Sequence, residues 1–101
     1  MIIGKFHLGI TDHQTLEIPA PANIRSVIMQ PDAFNHENVV LYAEMEKGAE
    51  ILERKIRMYG TGHEMDDVVG NFIGTVSTEG GQLIWHVYDV TDYDAELHYR
   101  P

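Results

Sequence analysis

The chain has 101 residues, of which 44% are hydrophobic and 23% charged, a composition typical of one globular domain spanning residues 1–101. It contains no cysteine, which excludes a disulfide framework and a thiolate zinc site. Its formal net charge of −9 disfavours direct binding to nucleic acid, because that affinity comes largely from lysine and arginine neutralising phosphates.

The negative charge is concentrated in the second half of the chain. Residues 1–57 carry eight acidic and six basic side chains, whereas residues 58–101 carry eight acidic side chains and one basic. This asymmetry predicts an acidic face or tail, which serves either solubility or the binding of a basic partner. No apolar run approaches the ~18 residues of a membrane span, and the N-terminus is a poor signal peptide, so we expect a cytoplasmic protein that does not contact membranes.

Apolar and polar side chains alternate along most of the chain with the period of two that half-buried strands show. The alternating segments are 6–10, 16–18, 39–46, 55–59 and 83–88. Turn chemistry separates them at 11–15, 19–22, 30–38 and 78–82, and Gly80 and Gly81 are free to take the positive φ of a tight hairpin. We therefore predict a mostly β fold, a small antiparallel sandwich or barrel of six to seven strands, with one short helix left open.

Two segments leave the choice of secondary structure open. Residues 44–58 are predicted as two strands joined around Lys47–Glu50. A helix from about Ala49 is the alternative, because good helix formers and a Glu50–Arg54 pair favour it. Residues 63–72 could hold a single helical turn, and residues from about 90 to 101 form either an acidic tail or an edge strand.

Three stretches resemble, in the same order, a family of small functionally uncharacterised bacteriophage proteins. They are ITDHQTLEIPAPANIRSV (10–27), RMYGTGHEMDD (57–67) and FIGTVSTEGGQLIWHVYD (72–89). The resemblance covers about residues 1–89, while the segment around 37–53 looks expanded and the tail after Asp89 looks added. It implies a phage-encoded, compact, mostly β protein and brings no assigned activity.

The segment GTGHEMDD at 60–67 is the strongest candidate for a site. His63, Asp66 and Asp67 offer imidazole and carboxylate ligands for a divalent metal, on which a metal-dependent phosphodiesterase could be built. Their spacing matches no standard metal signature, so we favour an exposed acidic turn without a metal. Gly60 and Gly62 lack the following lysine or helix of a phosphate loop, and we predict that they form the turn ending a strand.

The remaining chemistry-bearing residues favour structural roles. Trp85 is predicted to anchor the core, and His86 to be a hydrogen-bonded structural histidine. Ser26 and Ser77 lie inside predicted strands without a nucleophile elbow. The carboxylate pairs Glu44 with Glu46 and Asp92 with Asp94 fall in segments expected to be exposed. We therefore predict no catalytic residue, no cofactor and no enzymatic activity. The tyrosines, which suit interfaces, are Tyr42, Tyr59, Tyr88, Tyr93 and Tyr99.

We expect a phage accessory protein that acts by binding in the host cytoplasm. Its partner would be a host protein, including a defence protein, whose basic groove meets an acidic surface and is inhibited. The residues predicted for this acidic surface are Glu64, Asp66, Asp67, Asp89, Asp92, Asp94 and Glu96. A homo-oligomer and a virion component are further alternatives.

The second hypothesis is an oligomeric sponge that sequesters a nucleotide-like immune signal. Such a pocket needs positive charge and aromatic stacking, and the chain has one basic cluster beside a tyrosine and the glycine turn. The residues predicted for this ligand site are Arg54, Lys55, Arg57, Tyr59, Gly60, Thr61, Gly62 and His63.

Overall fold

A computed structural model of the chain describes residues 1–65 and 70–91, and shows a sandwich of two antiparallel sheets. The strands are β1 (Ile2–Leu8), β2 (His13–Pro19), β3 (Ala22–Pro31), β4 (Glu37–Met45), β5 (Ile51–Gly60), β6 (Asn71–Thr78) and β7 (Leu83–Asp89). Sheet A has the order β1-β4-β3 and sheet B the order β2-β5-β7-β6. The predicted mostly β fold with up to seven strands is confirmed.

The core lies between the two sheets and follows from the alternation seen in the sequence. In β5, Ile56 and Met58 point inward and are fully buried, whereas Lys55 and Arg57 alternate with them on the outer face. Burying each such aliphatic side chain stabilises the fold by about 1.5–3 kcal/mol. The buried core residues are Leu8, Ile18, Val27, Val39, Leu41, Ala43, Ile56, Met58, Val76 and Val87.

The helix considered from Ala49 is not formed, and the two-strand prediction for 44–58 is confirmed. β4 ends at Met45 and β5 begins at Ile51, and the turn between them is closed by a hydrogen bond of 3.2 Å from Ala49 N to Glu46 O. Gly48 in this turn has φ of +79°, which a helix does not accommodate. The prolines at 19–22 end β2 and start β3 in the other sheet, as their chemistry predicted.

Trp85 is not the anchor of the core that its size suggested. The indole is half-buried at the edge of the core, and its Nε1 donates to Thr78 Oγ1 at 2.9 Å. Trp85 lies opposite Gly60 near the beginning of β7, where the sandwich opens into a cavity. Aliphatic side chains in the middle of the strands occupy the centre instead, as Leu41 and Met58 illustrate.

The two long sides of the sandwich differ in which edge strands of the two sheets face each other. On one side β3 packs against β6, and a Cβ added to Gly74 would lie 3.0 Å from Val27 Cγ1. Both strands carry a bulge there, between Ile24 and Ser26 in β3 and between Phe72 and Gly74 in β6. On the other side lie β1 and β2.

Two sequence-based expectations extend beyond the described residues. The helical turn considered within 63–72 lies partly outside them, and so does the tail or edge strand considered for 90–101. No helix within residues 1–65 and 70–91 is long and apolar enough to cross a membrane.

Candidate binding surface at the loop end

Four connections meet at one end of the sandwich, which we call the loop end. They are residues 9–12 between β1 and β2, 32–36 between β3 and β4, 61–63 after β5, and 79–82 between β6 and β7. Antiparallel strands bring alternate connections to the same end, which is also where loops of β-sandwiches commonly bind ligands.

Two cavities make the loop end a continuous surface. The first, of about 230 Å³, lies between Leu8 and Ile10 on one side and Glu37 and Leu83 on the other. The second, of about 180 Å³, is lined by the residue 60–63 turn and again by Leu83. Because Leu83 lines both cavities, the 9–12, 61–63 and 79–82 connections contribute to one surface, which Glu37 joins from the start of β4.

The Gly60–Thr61–Gly62 segment is a turn that ends β5, as predicted. His63 N donates to Gly60 O at 3.1 Å, and Gly62 has φ of +86°. The His63 imidazole lies against Gly60, where a Cβ would approach its Cε1 to 2.7 Å. A side chain at Gly60 would therefore have to displace the exposed His63 ring, whereas Gly62 is favoured by its backbone conformation.

His86 fixes this turn to the sheet. Its Nε2 lies 2.8 Å from Thr61 Oγ1, and its Nδ1 lies 3.0 Å from Thr75 Oγ1. Both ring nitrogens are therefore engaged by hydroxyl groups. This arrangement confirms the prediction that His86 is a hydrogen-bonded structural histidine.

A glutamate of sheet A holds the 79–82 hairpin of sheet B. Glu37 Oε1 accepts a hydrogen bond of 2.6 Å from Glu79 N, and Oε2 accepts one of 3.4 Å from Gly80 N. The hairpin has φ of +55° at Glu79, +65° at Gly80 and +92° at Gly81, which confirms the positive φ predicted for the two glycines. The carboxylate thus links two loop-end connections that belong to different sheets.

Gln14 organises the 9–12 connection. Its side-chain amide pairs with the backbone of Gly9, accepting from Gly9 N at 3.0 Å and donating to Gly9 O at 2.9 Å. Asp12 O accepts from Met58 N at 3.1 Å, which ties the connection to β5. The ITDHQ, YGTGH and EGG parts of the three resembling stretches therefore all lie at the loop end.

The 32–36 loop is closed around Asp32. Asp32 Oδ1 accepts hydrogen bonds from His36 N at 3.0 Å and from Phe34 N at 2.8 Å, and Oδ2 lies 3.2 Å from His36 Nδ1. The hydrogen bond from the His36 amide, helped by that from Phe34 and by the His36 ring, lowers the pKa of Asp32 below its ordinary 3.8. Phe34 at the tip is 81% exposed. The sequence predicted a loop over 30–38 but not its closure around Asp32, although Asp32 is a typical residue to start such a turn.

The loop end is acidic and partly apolar. Its four connections and the one or two residues that flank them, which together span 9–13, 32–38, 60–65 and 78–84, contain no lysine or arginine. Their carboxylates are Asp12, Asp32, Glu37, Glu64 and Glu79. Their exposed large hydrophobic residues are Ile10, Phe34, Met65, Leu83 and Ile84.

The predicted acidic surface is only partly described. Glu64 is exposed at the loop end, as expected. Asp89 does not belong to an exposed surface: it is 7% exposed, forms an ion pair with Arg54 and accepts from Thr91 Oγ1 at 2.6 Å. Asp89 lies on the inward face of β7, where Arg54 neutralises its carboxylate. The other predicted members, Asp66, Asp67, Asp92, Asp94 and Glu96, lie outside the described residues.

The residues of the sponge hypothesis do not line one pocket. Arg54 points inward, where it pairs with Asp89 and donates to Ala22 O at 3.0 Å. The Lys55 and Arg57 side chains lie on the outer face of sheet B, and Arg57 Cζ lies 4.6 Å from the centre of the Tyr59 ring. Because successive side chains of β5 point to opposite faces of sheet B, Arg54 is separated from Lys55 and Arg57. Gly60, Thr61, Gly62 and His63 line or flank the loop end, at the opposite end of β5 from Arg54.

Other candidate residues have structural surroundings. Ser26 and Ser77 lie in β3 and β6, as predicted. Glu44 pairs with Arg25, and Glu46 is exposed. The tyrosines that the structure describes are also partnered. Tyr88 packs edge-on against Tyr59 and Phe72 on sheet B, and Tyr42 OH donates to Gln30 Oε1 at 2.6 Å. Tyr93 and Tyr99 lie outside the described residues. No group of three or more potential metal ligands occurs in residues 1–65 and 70–91.

Comparison with known proteins places the chain in one family. No curated protein and no solved structure matches the chain. A family model matches residues 1–97, which is nearly the whole chain. The chain belongs to the family described as "Domain of unknown function (DUF7352)".

Proposed function

We propose that this protein acts by binding a protein partner through its loop end, and not by catalysis. The observation that carries the proposal is the combination of five carboxylates, no lysine or arginine, and five exposed large hydrophobic side chains in the loop-end segments. Buried apolar contacts supply affinity in protein interfaces, whereas surrounding charges select the partner and speed its approach.

The loop end is also organised before any partner arrives. Glu37 holds the 79–82 hairpin, His86 holds the turn at Thr61, and Asp32 closes the loop that presents Phe34. A surface whose loops are already ordered loses less conformational entropy on binding than a flexible one. This favours recognition of a macromolecule by a largely preformed surface.

The proposed partner has a basic surface with an apolar centre. If the chain is phage-encoded, as its sequence resemblance implies, the partner is a host protein in the host cytoplasm, including a protein of antiviral defence. Covering a basic groove that otherwise receives nucleic acid would inhibit such a protein. Of the acidic surface predicted from the sequence, Glu64 is the described member at the loop end, and the structure adds the exposed carboxylates Asp12, Asp32, Glu37 and Glu79 to it.

Affinity purification with matched charge variants tests the proposal. The tagged protein, the loop-end variant Glu64→Gln/Glu79→Gln and the control Glu46→Gln/Glu50→Gln are each exposed to host lysate at about 50 and 300 mM salt, between which screening of surface charge increases strongly. Both variants lose two carboxylates, but the control loses them at the turn between β4 and β5, at the opposite end of the sandwich.

We expect the unmodified protein and the control to retain one host protein at low salt. The loop-end substitutions and added salt should both reduce its retention. Direct titration of that protein then gives the affinities. Equal retention by both variants would contradict a loop-end interface. A retained nucleotide without any protein partner would instead support the sponge hypothesis.

A further inference from the structure

The open side of the sandwich is formed by β1 and β2, and each leaves one sheet edge without a partner strand within residues 1–65 and 70–91. On the opposite side, β3 and β6 pack on each other at Gly74 and Val27 and carry bulges. Within the described ranges, β1 pairs only with β4, and β2 pairs only with β5. Unpaired strand edges present rows of N–H and C=O groups that readily accept another strand.

These two edges carry opposite charges. β1 has no acidic residue, and its Lys5 is exposed on the outer face of sheet A. In sheet B, Glu17 of β2 lies directly opposite Glu53 of β5, and both are exposed. Like charges directly opposite in a sheet are destabilising. Among the residues that the structure describes, Lys5, Glu17 and Glu53 form no ion pair.

The directions of the two strands allow reciprocal pairing between two copies. β1 runs towards the loop end and β2 runs away from it, since the 9–12 connection joins them there. A two-fold axis parallel to the strands would therefore place β1 of each copy antiparallel to β2 of the other. Sheet A of one copy would continue into sheet B of the second, with the outer faces on the same side.

The charged residues lie at matching heights in this arrangement. Lys5 is three residues from Leu8, the loop-end residue of β1, and Glu17 is four residues from His13, the loop-end residue of β2. The difference is one residue, or about 3.3 Å along the strand. Lys5 of one copy therefore reaches the Glu17–Glu53 pair of the second.

We propose that two copies of this chain form a symmetric dimer through the β1 and β2 edges, in which each Lys5 neutralises the Glu17–Glu53 pair of the other copy. The dimer pairs both free edges and relieves the repulsion between the two glutamates. Because the axis is parallel to the strands, both loop ends point in the same direction and stay accessible. The proposal does not depend on the function proposed for the loop end.

Charge exchange tests the dimer. Sedimentation of the full chain at low ionic strength is compared for the unmodified protein, Lys5→Glu, Glu17→Lys and the double variant Lys5→Glu/Glu17→Lys. We expect Lys5→Glu to weaken dimerisation about tenfold or more, since it places a third carboxylate beside each Glu17–Glu53 pair. Glu17→Lys should weaken it less, because Glu53 still faces Lys5, and the double variant should dimerise better than Lys5→Glu. Lys47→Glu, with the same change in net charge as Lys5→Glu, should dimerise normally.

Hydrogen exchange of the unmodified protein gives a second readout that does not depend on the folding of any variant. Amides of β1 and β2 should exchange more slowly as protein concentration rises, whereas those of β3 and β6 should not change. A protein that stays monomeric at all concentrations, protection confined to other strands, or a double variant that dimerises no better than Lys5→Glu would each overturn the proposal.

Discussion

The imidazole of His63 lies over Gly60 so closely that a methyl group at Gly60 would approach His63 Cε1 to 2.7 Å. The contact closes the turn after β5 and shapes the 180 Å³ cavity beside Leu83. Its geometry explains why a glycine stands at the end of a buried strand, where a β-branched residue would otherwise be favoured.

Gly60→Ala should destabilise the fold by about 1–3 kcal/mol, because the added methyl group must displace the His63 ring or strain the strand end. Urea unfolding followed by tryptophan fluorescence measures the change. Gly9→Ala is the matched control and should be nearly neutral, since no atom lies within 4 Å of its added Cβ. If the steric account is right, Gly60→Ala should cost less in a His63→Ala background. Equal costs in both backgrounds would show that the ring is not the obstacle.

Removing the Asp89 carboxylate should lower the free energy of unfolding, because Asp89 joins Arg54 to Thr91 at the end of the core. Asp89→Asn leaves the guanidinium of Arg54 largely buried without its counter-ion, and we expect a loss of about 2–4 kcal/mol in the free energy of unfolding. Glu44→Gln, which breaks the exposed pair with Arg25, should cost less than about 1 kcal/mol. Similar costs for the two variants would contradict a structural role for the inner pair.

His86→Phe should release the turn after β5 while keeping an aromatic ring in the sheet. The ring loses its hydrogen bonds to Thr61 and Thr75, each of which contributes about 0.5–1.5 kcal/mol. We expect amide hydrogen exchange to accelerate at residues 61–63 before the strands are affected. Exposed His7, for which the structure shows no hydrogen bond to another described side chain, provides the control His7→Phe. Unchanged exchange at 61–63 would mean that His86 does not hold the turn.

The loop at 32–36 should open in acid. The folded-state pKa of Asp32 is lowered below its ordinary 3.8, so the contribution of its ionised form is fully present above that value. The contribution is lost as the pH falls through the lowered folded-state pKa, when the carboxylate gains a proton and accepts less well from the Phe34 and His36 amides. Amide chemical shifts of these two residues should report the transition below pH 3.8, and Asp32→Asn should abolish it. A transition that persists in Asp32→Asn would have another origin.

The sequence by itself determined the class of fold and most of its strands. Alternation with a period of two buries one face of each strand, and in the predicted strand segment 55–59 this face carries Ile56 and Met58. Glycine and proline indicated the turns, because glycine takes positive φ at little cost, as Gly80 and Gly81 do, and proline cannot continue a ladder. The hydrogen-bonding role of His86 was also predicted from its place among apolar neighbours.

Tertiary structure decided which of these residues meet. Arg54, Lys55 and Arg57 are adjacent in sequence, yet the pleat sends Arg54 into the sandwich and the other two to its outer face. Asp89 looked like part of an acidic surface and is instead the buried partner of Arg54, 35 residues away. The assembly of four distant connections into one acidic and apolar end, and the placing of Lys5 and Glu17 on two free edges, follow from strand order. Strand order depends on contacts between residues far apart in the chain, which a local pattern does not encode.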